Sequence, residues 1–324
     1  MNASPVLYGV CCAVALAAVP ALGATQEKWP ARPIRMIVPF PSGSASDVLS
    51  RIVGQRLGEM YGQQFVVDNR TGAGGLIGSQ LVRQAAADGY TLAMVGQPHL
   101  SNVLLRDDKP YDPLNDFTAI SLVALTPNVI ILGKGVEAKT IPDLIALAKA
   151  KPGTLNYGSG GVGSSSHLAG ALLASKAKID VVHVPFRVGD SRSALISGAI
   201  QYYVYPLPAI MPLIRSGTLR ALAVGSPKRA EALPDVPTSA EAGFPQYQSE
   251  SWFGIIAPRG LPKPLVTRLN ADTASVLKEP ATREKIVRQG AEPASGTPEH
   301  FAKMQRDEYA ELGALIREIK MKAQ

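Results

Sequence analysis

The chain has 324 residues, 46% of them hydrophobic and 18% charged, with 30 Gly and 26 Pro; it is too long for one small core and too apolar for disorder, and domains of ~100–200 residues predict about two of them. The net charge of +7 comes from 33 basic and 26 acidic side chains scattered without a basic, aromatic-interleaved run, which argues against nucleic-acid binding but suits the gathering of small anions. The only cysteines, Cys11 and Cys12, are adjacent, so they cannot staple distant elements or make a zinc or iron–sulfur spacing, and a metal–thiolate enzyme is excluded.

No charged side chain occurs from Met1 to Gly23, and the Ala-rich apolar run over 10–22 ends in Ala21-Leu22-Gly23 before Ala24. This small-x-small ending predicts a cleaved export signal over 1–23; a bilayer span needs about 20 apolar residues, and the run is shorter. The absence of Lys and Arg ahead of the run fits less well and leaves an uncleaved anchor as the alternative. Cleavage after Gly23 gives a mature chain without cysteine, as suits a periplasmic protein that folds without disulfides.

Residues 34–40 read as a buried strand, and 45–61 as a helix with Val48, Leu49, Ile52, Val53 and Leu57 on one face. Further along come a strand at 64–68, a helix at 78–87 and a strand at 91–95. The pattern restarts after Thr126-Pro127: strand 129–132, helix 141–150, strand 155–157, helix 165–175, strand 181–184, helix 194–197, strand 200–205, helix 208–215 and strand 221–224. A strand at 253–257 and helices at 264–277, 282–289 and 298–320 close the chain. Such βα alternation predicts mostly parallel sheets with covering helices.

Two strand-to-helix loops share a chemistry. Pro39-Phe-Pro-Ser-Gly-Ser-Ala-Ser-Asp47 precedes the first helix, and Gly158-Ser-Gly-Gly-Val-Gly-Ser-Ser-Ser-His167 precedes a helix of the second series. Small, hydroxyl-rich loops of this kind expose backbone N–H groups and serine donors at the positive end of a helix, at the carboxyl ends of strands where α/β sheets bind ligands. Facing each other across a cleft, they would hold one anion. The plainer alternative is that Ser46 and Ser164 are N-caps and nothing more.

Enzyme motifs are weak or absent. Gly158-x-Gly160-x-x-Gly163 matches a dinucleotide fingerprint, but the strand before it is short and polar, and Asp180 falls ahead of the next strand where the ribose-binding acid belongs at its end. No serine has Gly on both sides at the nucleophile-elbow spacing, and Walker A and His-Glu-x-x-His sequences are missing. Of the four histidines, His183 reads as a core residue and His300 as solvated, while His99 and His167 lie near loops as ligand contacts or caps. Ser165 with His167 makes a nucleophile–base pair on paper, with no orienting acid in sight.

Several segments in order resemble one family. These are Val38-Pro-Phe-x-x-Gly-x-x-x-Asp47, Val67-Asp-Asn-Arg-x-Gly-Ala-Gly-Gly-x-Ile-Gly78, Asp88-Gly-Tyr-Thr91, Lys151-Pro-Gly-Thr-Leu-Asn-Tyr157, Val184-Pro-Phe186 and Leu233-Pro-Asp-Val-Pro-Thr-Ser-Ala-Glu-Ala-Gly243. Together they are similar to the tripartite tricarboxylate transporter substrate-binding proteins of the TctC or Bug type, from about Trp29 to the C-terminal helices. The resemblance implies an α/β, two-lobed periplasmic binding protein of the Venus-flytrap kind (type II), each lobe a mostly parallel sheet with flanking helices. Lobe 1 would comprise 24–126 and 250–324, lobe 2 127–249, with a hinge where strands near 124–129 and 248–253 cross. It implies a receptor without catalytic activity, cofactor or metal. Its ligand would be a small mono- or dicarboxylate, its partners the subunits of a membrane transporter, and its state a monomer; a sensory receptor on the same fold and a Ser165/His167 hydrolase are the alternatives.

The resemblance further implies that the first loop cradles a carboxylate, partly through ordered waters, and that the second contributes from the other lobe. The expected contacts are Phe40, Ser42, Gly43, Ser44, Ser46, Asp47, Gln97, Ser159, Gly163, Ser164, Ser165, Ser166, Arg187 and Tyr205, with Trp252 as a further apolar wall. The chain departs from the family pattern at Ser42-Gly43-Ser44, at Gln201 and at Val188. These departures leave the ligand's identity open, and Arg187 open between a second-carboxylate partner and a surface ion pair.

Overall fold

The computed structural model describes residues 29–186 and 190–319, with Met1 and Met321. The export signal expected over 1–23 with Cys11 and Cys12, and the expectations for Arg187 and Val188, lie outside the described residues.

The first half runs β1 (Ile34–Val38), α1 (Ala45–Tyr61), β2 (Phe65–Asn69), α2 (Leu76–Arg83), β3 (Thr91–Gly96) and α3 (Pro98–Leu104). β1 and β3 are buried almost throughout, as strands of a helix-covered parallel sheet must be, and β2, β1 and β3 pair in parallel. α1 stops at Gly62, whose left-handed φ of 64° lets the chain turn back into β2. α3 leaves no periodic signal because it is only 7 residues long; Pro98 in its first turn is the sequence sign of its start.

Next come β4 (Phe117–Leu132), α4 (Ile141–Ala150), β5 (Asn156–Ser159), α5 (Ser165–Ala177), β6 (Val182–Pro185), α6 (Asp190–Ser197), β7 (Tyr202–Pro206), α7 (Met211–Arg215) and β8 (Arg220–Val224). The chain then returns through β9 (Glu250–Pro258), α8 (Lys263–Lys278), α9 (Pro280–Arg288), β10 (Glu292–Pro293) and α10 (Pro298–Glu318).

The sheet order is β2-β1-β3-β9-β4-β7-β5-β6, with β8 and β10 also paired to β4. β4 is 16 residues long where the sequence predicts only 129–132 as strand. Thr126-Pro127 reads as a break because proline has no N–H for a ladder. It is in fact where the strand changes partners: Phe117 to Pro127 pair with β9, and Asn128 to Leu132 with β7. The register of β4 against β9 also shifts twice, between Ala119 and Ser121 and between Leu122 and Ala124, which blurs alternation along the sequence. β4 and β9 carry the chain between the halves in opposite directions and so pair antiparallel, while β2-β1-β3 and β7-β5-β6 keep the expected parallel pairing.

Each half has apolar clusters on both sheet faces. Leu49 and Val53 of α1 pack with Leu269 and Val276 of α8, and on the opposite face Leu100 of α3 packs with Phe301 and Leu312 of α10. In the second half Leu144, Leu173 and Tyr202 share one cluster and Leu195, Ile210 and Met211 another. Leu168 of α5 joins a first-half cluster and ties the two cores together.

Gly254 in β9 lies under the fully buried ring of Phe301, and a Cβ there would stand 2.2 Å from Phe301 Cζ. Gly254→Ala is therefore expected to cost about 1–3 kcal/mol by overpacking, read as a lowered urea midpoint. An unchanged midpoint would mean that β9 yields locally and the core is not close-packed there.

Candidate functional site

α1 and α5 start in the same way. Ser44 caps α1 by accepting the Asp47 N–H at 3.3 Å, and Ser164 caps α5 by accepting the His167 N–H at 3.3 Å. Two positions on, Ser46 Oγ lies 3.2 Å from Ser44 Oγ, and Ser166 Oγ lies 3.0 Å from Ser164 Oγ. The N-cap of α1 is thus Ser44 and not Ser46, which sits inside the first turn; Ser164 caps as expected. With the third N–H of each helix taken by its cap, the N–H groups of Ala45, Ser46, Ser165 and Ser166 have no intrahelical acceptor.

All six residues, Ser44, Ala45, Ser46, Ser164, Ser165 and Ser166, line a single cavity of about 50 Å³ between the halves of the sheet. Its remaining wall comes from Phe40, Gly96, Gln97, Pro98, Gly160, Tyr205, Pro206, Ser251, Trp252 and Phe253. No Lys, Arg, His, Asp or Glu is in that lining among the described residues. The cavity therefore offers an anion neutral donors, two positive helix ends and aromatic walls.

The structure brings Phe40, Ser44, Ser46, Gln97, Ser164, Ser165, Ser166 and Tyr205 of the expected set to the cavity, together with Trp252. Ser42, Gly43, Asp47, Ser159 and Gly163 are not in its lining. Asp47 is buried, and its carboxylate accepts Gly43 N–H at 2.9 Å, Arg51 Nη2 at 2.9 Å and Asn69 Nδ2 at 3.0 Å. Burial pushes its pKa up, but these bonds outweigh it and hold the carboxyl below its ordinary value. Ser42 is exposed, 3.5 Å from the same carboxylate. Asp47 thus braces the first loop by its charge.

The second loop is braced by uncharged imidazoles. Ser159 Oγ lies 2.6 Å from His183 Nε2 and accepts the Gly161 N–H at 3.1 Å. His167 Nδ1 accepts the Gly163 N–H at 3.2 Å, and its ring stacks on His183 with centroids 3.7 Å apart. Burial lowers the pKa of His183 to about 4, and burial with the neighbouring His183 lowers that of His167 to about 3. Gly163 has φ +77°, and its carbonyl accepts Ser101 Oγ from α3 at 2.7 Å, a hydrogen bond between the halves. His99 is buried against Tyr111 and Phe117 with Nδ1 3.0 Å from Ser79 Oγ, and burial lowers its pKa to about 4. His300 is exposed in the first turn of α10. Neither His99 nor His167 lines the cavity, and no hydrogen bond joins Ser165 to His167.

Sequence reasoning missed Ala45, Gly96, Pro98, Gly160, Pro206, Ser251 and Phe253 in the lining. Gly96-Gln97-Pro98 ends β3 at its carboxyl end, a position that marks binding loops, so its neighbours were within reach. Gly96 is small because a Cβ would meet the Trp252 carbonyl oxygen at 2.8 Å. Ser251 and Phe253 are placed by long-range strand pairing, Ser251 with Thr126 of β4 and Phe253 with Ala124 of β4 and Gly96 of β3.

The family described as "Tripartite tricarboxylate transporter family receptor" matches residues 49–321. Protein BugT of Bordetella pertussis (strain Tohama I) is 35% identical over 295 residues, 90% of this chain and 90% of that protein. The solved structure of R. palustris Rpa4515 with adipate superposes with a TM-score of 0.87 at 35% identity, covering 91% of this chain and 100% of that one. MatC (Rpa3494) from Rhodopseudomonas palustris with bound malate does so with a TM-score of 0.81 at 29% identity, covering 89% and 100%.

The three buried imidazoles make stability pH-dependent in a defined direction. Their folded pKa values lie below the ~6.5 of a free imidazole, so between that value and about 4 the unfolded chain binds protons that the folded one does not. Their contribution is complete above about pH 6.5 and is lost as pH falls toward 4, with buried His99 alone worth on the order of 3 kcal/mol. Urea denaturation across this window should show the loss, and His99→Gln should flatten it. A variant profile parallel to that of the unaltered chain would assign the slope to other groups.

Proposed function

The chain belongs to the tripartite tricarboxylate transporter receptor family, and from that premise we propose that it is an extracytoplasmic solute-binding protein that captures a small carboxylate between two lobes and delivers it to a transporter of that type. The observation that carries this reading is the pair of serine-capped helix starts facing one cavity that has no charged side chain in its described lining. Unpaired N–H groups and hydroxyls at helix N-termini suit a carboxylate. The family and the fold are those of solute-binding receptors rather than enzymes. Similar proteins described with adipate and with malate support the ligand class.

In this reading lobe 1 comprises 24–126 and 250–324, lobe 2 comprises 127–249, and the export signal at 1–23 sends the chain to the periplasm. Among the described residues no helix is long and apolar enough to cross a membrane. The lobes turn about the β4–β9 crossing, where Thr126 pairs with Ser251 and Pro127 with Glu250. Closure forms the Ser101–Gly163 hydrogen bond and brings Gly163 against Asn102, so close that a Cβ on Gly163 would stand 2.3 Å from Asn102 Oδ1. The closed shape is what a membrane partner would recognise as loaded.

Thermal-shift and calorimetric titration with four- to eight-carbon carboxylates tests the proposal. A binding carboxylate at about 100 times its Kd should stabilise the fold by about 2.7 kcal/mol. Ser44→Ala and Ser164→Ala should each weaken it roughly tenfold, by removing a cap that orients the donors. Ser101→Ala, which removes the hydrogen bond to the Gly163 carbonyl, should leave both lobes folded but weaken tight binding, because closure forms that bond. Binding unaffected by all three variants, or chemical turnover of the bound compound, would sink the reading.

A further inference from the structure

Behind the cavity wall, α10 presents Glu308, a half-buried residue whose carboxylate is turned inward and meets no cation among the described residues. Its Oε1 accepts Gln97 Nε2 at 2.9 Å, and its Oε2 accepts the indole N–H of Trp252. Both donors belong to residues that line the cavity. Trp252 has only a donor to give, whereas Gln97 has a choice, since its amide has an NH2 on one side and a carbonyl on the other. An ionised carboxylate accepts and cannot donate, so Gln97 must turn its NH2 toward Glu308. With the NH2 side of the amide held at Glu308, the carbonyl Oε1 on its other side is the acceptor that Gln97 can offer the cleft.

We infer that Glu308 is a positioning residue for ligand selection: by fixing the Gln97 amide it makes this part of the cavity wall a hydrogen-bond acceptor, and the site prefers monocarboxylates with an uncharged, donor-bearing far end over dicarboxylates. This rests on the reading that the serine turns hold a carboxylate. A second ionised carboxylate near Gln97 would face the carbonyl oxygen and, behind it, the negative charge of Glu308 in a poorly solvated wall. A hydroxyl in the same place donates to Gln97 and disturbs neither.

The same arrangement makes the preference depend on one proton. Burial pushes the pKa of Glu308 up to about 7, against the pull of its two hydrogen bonds, and Glu311 one turn along α10 adds to the push. From the other elements, the junction of β3 and α3 presents Gln97 and β9 presents Trp252, and neither titrates. Once protonated, Glu308 can donate to the Gln97 carbonyl, and the amide can turn its NH2 toward the cleft, where it suits a second carboxylate.

The test is calorimetric titration of the purified chain with matched sets of equal length: hexanoate, 6-hydroxyhexanoate and adipate, and the corresponding four-carbon compounds. At about pH 8 the hydroxy acid should bind roughly tenfold or more tightly than the dicarboxylate, and at about pH 6 that ratio should shrink several-fold. Glu308→Gln should lower the ratio roughly tenfold at the higher pH and make it insensitive to pH. Gln97→Met, which leaves Glu308 in place, should abolish the preference for the hydroxyl. A dicarboxylate that binds as tightly as its hydroxy acid at about pH 8 overturns the inference and leaves the receptor reading standing. So does a ratio that is the same in Glu308→Gln and the unaltered chain. Failure of every carboxylate to bind overturns both.

Discussion

A helix begins with more backbone N–H groups than its own turns can satisfy, and in this protein two such beginnings are aimed at one cavity. Much of the surrounding structure can be understood as keeping them there. Each cap serine takes the third N–H, which fixes the first turn and leaves the two donors before it on residues that line the cavity. Beneath each loop lies a brace that keeps its polar atoms out of the cavity, a charged carboxylate under one and a stacked, neutral imidazole pair under the other. The two braces differ in chemistry because their surroundings differ: Arg51 and Asn69 reach Asp47, while the histidines lie among Tyr157 and buried backbone.

The crossing strands set the distance between the two helix starts. Where β4 leaves β9 for β7, Asn128 donates to Ser249 Oγ at 2.7 Å and accepts from Ser251 Oγ at 2.9 Å. Asn128 and Ser251 are buried, and a satisfied polar network of this kind admits one arrangement where apolar packing would tolerate several. Ser251 also lines the cavity, so the crossing and the binding cleft share a residue. In the proposed reading a rotation about this point would change the gap between the serine turns, and it would also shift Leu168 against the first-half cluster that it joins.

How far the sequence could be read follows from the range over which each signal acts. A strand running into a serine- and glycine-rich loop before a helix is a local pattern, so both cradles and most of the βα order were legible. The choice between Ser44 and Ser46 was also local: Asp47 stands at the acidic third position from Ser44, a helix-start signature that favours the former. Asp47 itself was read as a ligand contact, although Arg51 at the i+4 position offered it a partner on the same helix. The full length of β4 was hidden because Pro127 looks like a stop to any local rule, while the partner that explains it arrives only at Glu250. Glu308 was invisible for the same reason, since its partners lie at the junction of β3 and α3 and in β9.

The uncharged lining of the described cleft also bears on what happens when the halves part. A cavity built around arginine leaves a cation to be rehydrated, or to find another counter-ion, each time its guest departs. Among the described lining residues the polar groups are amides and hydroxyls, which water can satisfy. In the proposed reading, parting the halves would then uncover no unpaired ion from the described lining.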